Sequence, residues 1–222
     1  MIRGEALATL IGAALILGAC QSVQPTPKTL APEEPGGRLA PAAAPALQPG
    51  ASFTFRKNDG AETTSRVVAV DGSDIVWESD NGWAWTAKNF YWPVERWRGA
   101  SSQGAQEVSG DPDALFPLAV GQRAAYRYQG RSTAEPRGWT GRGRCNVAAA
   151  ERITVPAGTF DTYKVVCEQG EDLDDPYRVW TRWYAPELGH PVASLHQTRD
   201  GAINELQQLV GHGPSQLSPS AM

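Results

Sequence analysis

The sequence predicts an all-β protein whose antiparallel strands form a curved sheet, arranged as a barrel or a sandwich. Short runs in which apolar and polar residues alternate, such as Tyr163, Val165 and Cys167, recur along the chain and are typical of half-buried strands. Turn signals such as Asn58-Asp59-Gly60 separate the runs. Helical periodicity is absent, and 23 glycines and 17 prolines favour turns over long helices.

The N-terminus carries an export signal. Residues 1–19 are predicted to be a signal peptide, because the apolar run Ala6 to Ala19 is shorter than the ~20 residues that a membrane-spanning helix needs. Leu17-Gly18-Ala19-Cys20 resembles the lipobox of bacterial lipoproteins. In that family the cysteine is acylated and becomes the first residue of the mature chain. The resemblance therefore implies a membrane anchor, with fatty acids such as palmitate, at Cys20.

The residue after Cys20 is Gln21 and not Asp. By similarity to lipoprotein sorting, this implies an outer-membrane location with the protein facing the periplasm. A soluble periplasmic protein with an ordinary cleavage site is the alternative.

Residues 20–50 are predicted to form a disordered linker after the lipidated cysteine. Seven prolines interrupt any helix in this segment, and few large apolar residues are available to bury. Residues 212–222 are predicted to be a disordered tail.

Two strand-rich blocks lie between these ends. Residues 51–99 predict a small β meander and residues 115–211 an antiparallel β domain, with a polar linker at 100–114. Aromatic residues alternate after a glycine at the start of each block, which leaves open a diverged repeat.

Cys145 and Cys167 are predicted to form a disulfide bond. They lie 11 residues before and after Pro156, which is part of a predicted turn, so folding about that turn would oppose them. Export to an oxidising compartment favours pairing over two free buried thiols. The length of the strand before Pro156 predicts a β-bulge.

Three segments of the second block are similar to envelope lipoproteins of proteobacteria whose function is uncharacterised. These segments are Leu115–Gly121, Ile153–Val165 and Trp183–Gly189. The resemblance implies an antiparallel β domain on the periplasmic side and brings no catalytic residue. Turn formation and core packing explain most of the residues in these three segments.

Tryptophans are the most unusual feature of the composition, with eight in 222 residues. Trp83, Trp85 and Trp92 are the candidate ligand or partner surface, which would stack on sugars or contact a protein. The alternative is that they form the core of a sheet that contains little Leu and Ile.

No catalytic, metal-binding or cofactor-binding residue is predicted. The acidic run Glu171–Asp175 matches no calcium loop and reads as a solvated hairpin tip. His190 and His196 could share a face of one strand but lie too far apart to chelate together, and His212 is isolated. The net charge of −4 argues against nucleic acid and against docking on anionic lipid.

We therefore expect a non-enzymatic outer-membrane lipoprotein that binds or scaffolds an envelope component, either a protein or a glycan. The alternative is a carrier of an apolar or lipid-like ligand, which requires an open concavity lined by several tryptophans. A cell-wall hydrolase would need converging ionisable residues, of which the sequence gives no sign.

Overall fold

The computed structural model describes residues 34–35 and 39–213, which form thirteen strands. The signal peptide and Cys20 predicted from the sequence lie outside the described residues. No helix in the described ranges is long and apolar enough to cross a membrane. The strands are β1 (Glu34–Pro35), β2 (Ser52–Lys57), β3 (Glu62–Asp71), β4 (Asp74–Ser79), β5 (Ala84–Ala87), β6 (Arg96–Arg98), β7 (Gln103–Gly110), β8 (Arg123–Ser132), β9 (Trp139–Val155), β10 (Gly158–Gly170), β11 (Arg178–Ala185), β12 (His190–Thr198) and β13 (Asn204–His212).

Strands β2 to β13 close into an antiparallel barrel, which confirms the predicted fold class. Each strand pairs with the next along the chain, β13 pairs with β2, and β8 pairs with β9. The short β1 pairs with the outer edge of β9. Closure pairs β8 with β9 along residues 139–146, and β1 covers part of the β9 edge that extends beyond them.

The two predicted blocks belong to one sheet. The prediction of a linker at 100–114 is wrong for most of that segment. Residues 103–110 form β7, which pairs with both β6 and β8. Its inward positions are Gly104, Gln106 and Val108, which pack against aromatic neighbours. Because glycine and glutamine occupy positions where an apolar residue is expected, alternation is not visible in this strand.

The disordered linker predicted at 20–50 extends too far towards the barrel. Ala42 and Leu118 exchange two backbone hydrogen bonds, and the Tyr163 hydroxyl bonds the carbonyl oxygens of Leu39 and Ala40. Leu47 is buried. Residues 39–50 therefore pack on the barrel, held by small residues and backbone groups that composition alone does not reveal. At the other end, β13 includes His212, the first residue of the predicted tail, and residues 214–222 lie outside the described residues.

The hairpin β9–β10 contains the predicted disulfide. Cys145 lies opposite Cys167, and the two sulfurs are bonded. The two-residue loop at 156–157 alone would place Asn146 opposite Cys167, but a bulge shifts the register between Ala149 and Val147. The predicted bulge therefore exists, and it is what brings the cysteines into register.

The buried apolar residues form two clusters. One surrounds the disulfide and includes Tyr91, Leu115, Leu118 and Val165. The other lies near the 156–157 turn and contains Phe53, Val67, Trp77, Ile153, Phe160, Trp183 and Leu209 among others. The register shows that the pair Ile153–Phe160 lies on the opposite face of the hairpin from the pair Cys145–Cys167.

Candidate functional site

An open cavity occupies the barrel end farther from the 156–157 turn. Its volume is about 970 Å³, which is at the upper end of the range for small-molecule sites. Strands β6 to β11 and the segments that join them form its walls. Its aromatic lining consists of Trp83, Tyr91, Trp92, Trp97, Tyr128, Trp139, Tyr177 and Trp180, and polar lining residues include Gln106, Gln169, Arg178 and Arg182.

Several lining rings lie flat on glycines of the neighbouring strand. A Cβ atom built on Gly104 would be 2.3 Å from the Trp97 ring, and one built on Gly141 would be 2.5 Å from Tyr128. Both are directly opposed pairs in the barrel. The same arrangement recurs in the pairs Trp83 with Gly99, Trp139 with Gly130, and Tyr126 with Gly143.

This arrangement keeps the cavity open. A ring that lies across a glycine occupies the space of a missing side chain and stays close to the wall, as aromatic residues do when they cover glycines in designed sheets. Trp97 and Trp139 also contact each other, with ring centres 5.9 Å apart. Both rings are half-buried, so their faces are available to a flat ligand.

Of the three tryptophans predicted as a binding surface, two line the cavity. Trp83 lies at its rim, and the buried Trp92 donates a hydrogen bond to Glu95 at 3.1 Å. Trp85 is outside the lining and stacks on Trp77 with ring centres 5.7 Å apart. Trp85 therefore packs against the core cluster that contains Trp77.

Arg182 is the most buried charge in the cavity. Its guanidinium lies 4.7 Å from the centre of the Trp180 ring, over its face. Desolvation lowers the pKa of Arg182 to about 10, so it stays protonated at neutral pH. Gln169 donates a 2.7 Å hydrogen bond to the Tyr126 hydroxyl, and burial raises the pKa of Tyr126. The Tyr126 hydroxyl therefore stays protonated and can donate a hydrogen bond.

The predicted acidic hairpin tip forms part of the cavity rim. Residues 171–175 are mostly exposed and connect β10 to β11. Asp175 forms an ion pair with Arg199 at 2.5 Å, while Arg142 and Arg144 donate to backbone carbonyls of the tip. In the described ranges, no group of three or more His, Cys, Asp or Glu side chains could hold a metal ion.

His190 and His196 lie on opposite faces of β12, whereas their even spacing in the sequence predicts one shared face. A register shift between Trp183 and Tyr184 leaves Val192 as the extra residue and reverses the alternation. His190 stacks on Phe53 at 3.8 Å in the core, and His196 stacks on Trp180 at 3.6 Å. Desolvation lowers the pKa of each to about 4, so both are neutral at pH 7.

Sequence reasoning missed most of the cavity lining, including Trp97, Trp139, Trp180 and Arg182. One signal was present: glycines alternate at 141 and 143 on β9, and tyrosines alternate at 126 and 128 on β8. Complementary alternation of glycine and aromatic residues on consecutive strands indicates rings that cover glycines.

Comparisons with known proteins found no matching family model and no matching curated protein. Solved structures that are similar include the following three. The hypothetical lipoprotein YmcC from Escherichia coli K12 is 15% identical with a TM-score of 0.47, covering 75% of this chain and 86% of that one. An exported protein with a YmcC-like fold from Bacteroides fragilis is 14% identical with a TM-score of 0.40, covering 78% and 100%. A protein described as a lipoprotein from Parabacteroides distasonis is 12% identical with a TM-score of 0.40, covering 79% and 100%.

Proposed function

We propose that this protein is a non-enzymatic lipoprotein of the outer membrane that binds an envelope glycan in the aromatic cavity. The lipobox-like sequence that ends at Cys20 supports the anchor, and Gln21 supports the outer membrane. The observation that carries the proposal is the set of half-buried rings laid flat on glycines around an open cavity. Such surfaces match the flat faces of sugar rings.

The polar groups of the cavity favour a glycan over a lipid. Gln106, Gln169 and Arg182 lie among the rings, and sugar hydroxyls can exchange hydrogen bonds with such groups. An acyl chain would leave the Arg182 guanidinium desolvated without a hydrogen-bond acceptor, at a cost of roughly 1–3 kcal/mol or more because the group is charged. A carrier of lipid-like molecules would be expected to have a mostly apolar lining.

Calorimetric titration of the full-length protein tests the proposal. Chitohexaose and hexagalacturonate serve as neutral and acidic oligosaccharides, and the fluorescent dye N-phenyl-1-naphthylamine serves as the apolar probe. We expect at least one oligosaccharide to bind, and Trp97→Ala to weaken it about tenfold, equivalent to ~1.4 kcal/mol.

Trp85→Ala is the matched control, because Trp85 is a half-buried tryptophan directly opposite Trp97 but outside the cavity lining. It should bind the oligosaccharide as the wild type does. Binding of the dye alone, or binding of sugars that Trp97→Ala does not affect, would contradict the proposal. The first of these results would favour the lipid carrier.

A further inference from the structure

Among the described residues, Arg182 has no anionic partner inside the barrel. It lies on β11 between Val165 and Ser194 of the adjacent strands, on the face that carries Trp180. Within residues 39–213 no Asp or Glu forms an ion pair with it, and no carboxylate contributes to its electrostatic surroundings. The ring of Trp180 is the partner that the structure provides.

An interior guanidinium without a counter-ion is unusual. Buried charges in proteins are generally paired, because the desolvation of an ion costs several kcal/mol. The face of a Trp ring recovers part of that cost through its attraction for a cation. Arg182 is half-buried, and among the described residues no carboxylate offsets the rest of this cost, which points to an anionic partner that enters the cavity.

A hydrogen-bond donor lies near Arg182, behind the residues that line the cavity. Tyr126 accepts a hydrogen bond from Gln169, which leaves its O–H group free to donate. Tyr126 is also close enough to Arg182 to interact with it electrostatically. Four carboxylates line the cavity, and all are exposed: Asp175 pairs with Arg199, and Glu135, Glu171 and Asp172 form no ion pair with Arg182.

We infer that the ligand is an acidic saccharide, whose carboxylate or phosphate group binds Arg182 while its rings stack on the tryptophans above. This inference rests on the proposed function and narrows its substrate class. Guanidinium pairs with a carboxylate or a phosphate through two parallel hydrogen bonds, so the same residue could recognise either group.

The test compares three hexasaccharides by calorimetry on the full-length protein: neutral chitohexaose, carboxylated hexagalacturonate and a phosphorylated maltohexaose. We expect at least one acidic ligand to bind tenfold or more tightly than the neutral one. Arg182→Gln should remove this preference, and Arg182→Lys should retain part of it because the charge remains. Arg123→Gln is the matched control, since Arg123 is exposed at the start of β8, and it should keep the full preference.

The outcomes separate this inference from the proposed function. If all three ligands bind equally and Trp97→Ala weakens them, the glycan site stands and the anion site is wrong. An unchanged acidic preference in Arg182→Gln would also overturn the role of Arg182. If no hexasaccharide binds, both proposals fail. Thermal unfolding of each variant, measured alongside, shows whether a loss of binding reflects a loss of folding.

Discussion

Adding one methyl group at Gly104 should disturb both the fold and the cavity. In Gly104→Ala, the new Cβ would lie 2.3 Å from Cζ2 of Trp97 and 2.7 Å from the backbone carbonyl oxygen of Arg131. Real Cβ contacts are essentially never shorter than 3.0 Å. The Trp97 ring must therefore move away from the wall, and the backbone of β8 must also give way.

The size of the effect follows from this overlap. Forcing an extra methyl group into a packed site costs roughly 1–3 kcal/mol. For a domain of this size, each kcal/mol lowers the melting temperature by about 2–4 °C. We expect Gly104→Ala to melt roughly 2–12 °C below the wild type. A displaced Trp97 would also intrude into the cavity, so oligosaccharide affinity should fall even where the protein is fully folded.

Gly211→Ala is the matched control. Gly211 lies in β13, its φ is not in the left-handed region, and a Cβ there would have no atom within 4 Å. This variant should melt at or slightly above the wild-type temperature, since alanine restricts the unfolded chain. Differential scanning calorimetry of both variants is the assay. Equal melting temperatures and equal affinities for the two variants would refute the reasoning that Trp97 lies on Gly104.

Three further predictions concern buried groups. Arg182→Met should raise the melting temperature of the free protein. Folding lowers the pKa of Arg182 from 12.5 to about 10, and this difference corresponds to a destabilisation of about 3 kcal/mol that the variant removes. An unchanged or lower melting temperature would mean that the protein compensates the charge. Because the pKa of His190 is about 4 when folded and 6.5 when unfolded, stability should fall by up to about 3 kcal/mol as the pH drops from 6.5 to 4. His190→Phe should keep the stacking on Phe53 and remove the share of this dependence that His190 contributes, while His196, whose pKa is also about 4, keeps its own share. Urea titrations at both pH values measure the difference, and an unchanged dependence would exclude His190 as a source. Replacing Cys145 and Cys167 with alanine removes a cross-link between residues 22 positions apart and should lower the free energy of unfolding in urea by about 3 kcal/mol. A stability equal to that of the wild type would show that the disulfide constrains the unfolded chain little.

The sequence predicts the fold class and the disulfide because both depend on local signals. Alternation and turn residues mark most strands, and the count of residues on either side of Pro156 nearly suffices to pair the cysteines. The count is correct only because a bulge absorbs one residue before Ala149. The strand over residues 103–110 escapes prediction because its inward positions carry small or polar residues.

The cavity could be predicted only in part because its construction depends on pairs of strands. The flattening of Trp97 depends on the glycine opposite it, and the register that opposes them is not visible in the sequence. The position of Arg182 depends on the whole barrel. An arginine in an alternating strand is predicted to be exposed, and only closure of the barrel places it inside. The reversal of His190 relative to His196 depends on the extra residue in β12.

Hydroxyl-radical footprinting of the full-length protein, read by mass spectrometry, tests the glycan site most directly. With saturating hexagalacturonate or chitohexaose, the account predicts slower oxidation of Trp97, Trp139 and Trp180, and unchanged oxidation of Trp85. Equal oxidation of all four tryptophans with and without sugar, or protection of Trp85 alone, would contradict it.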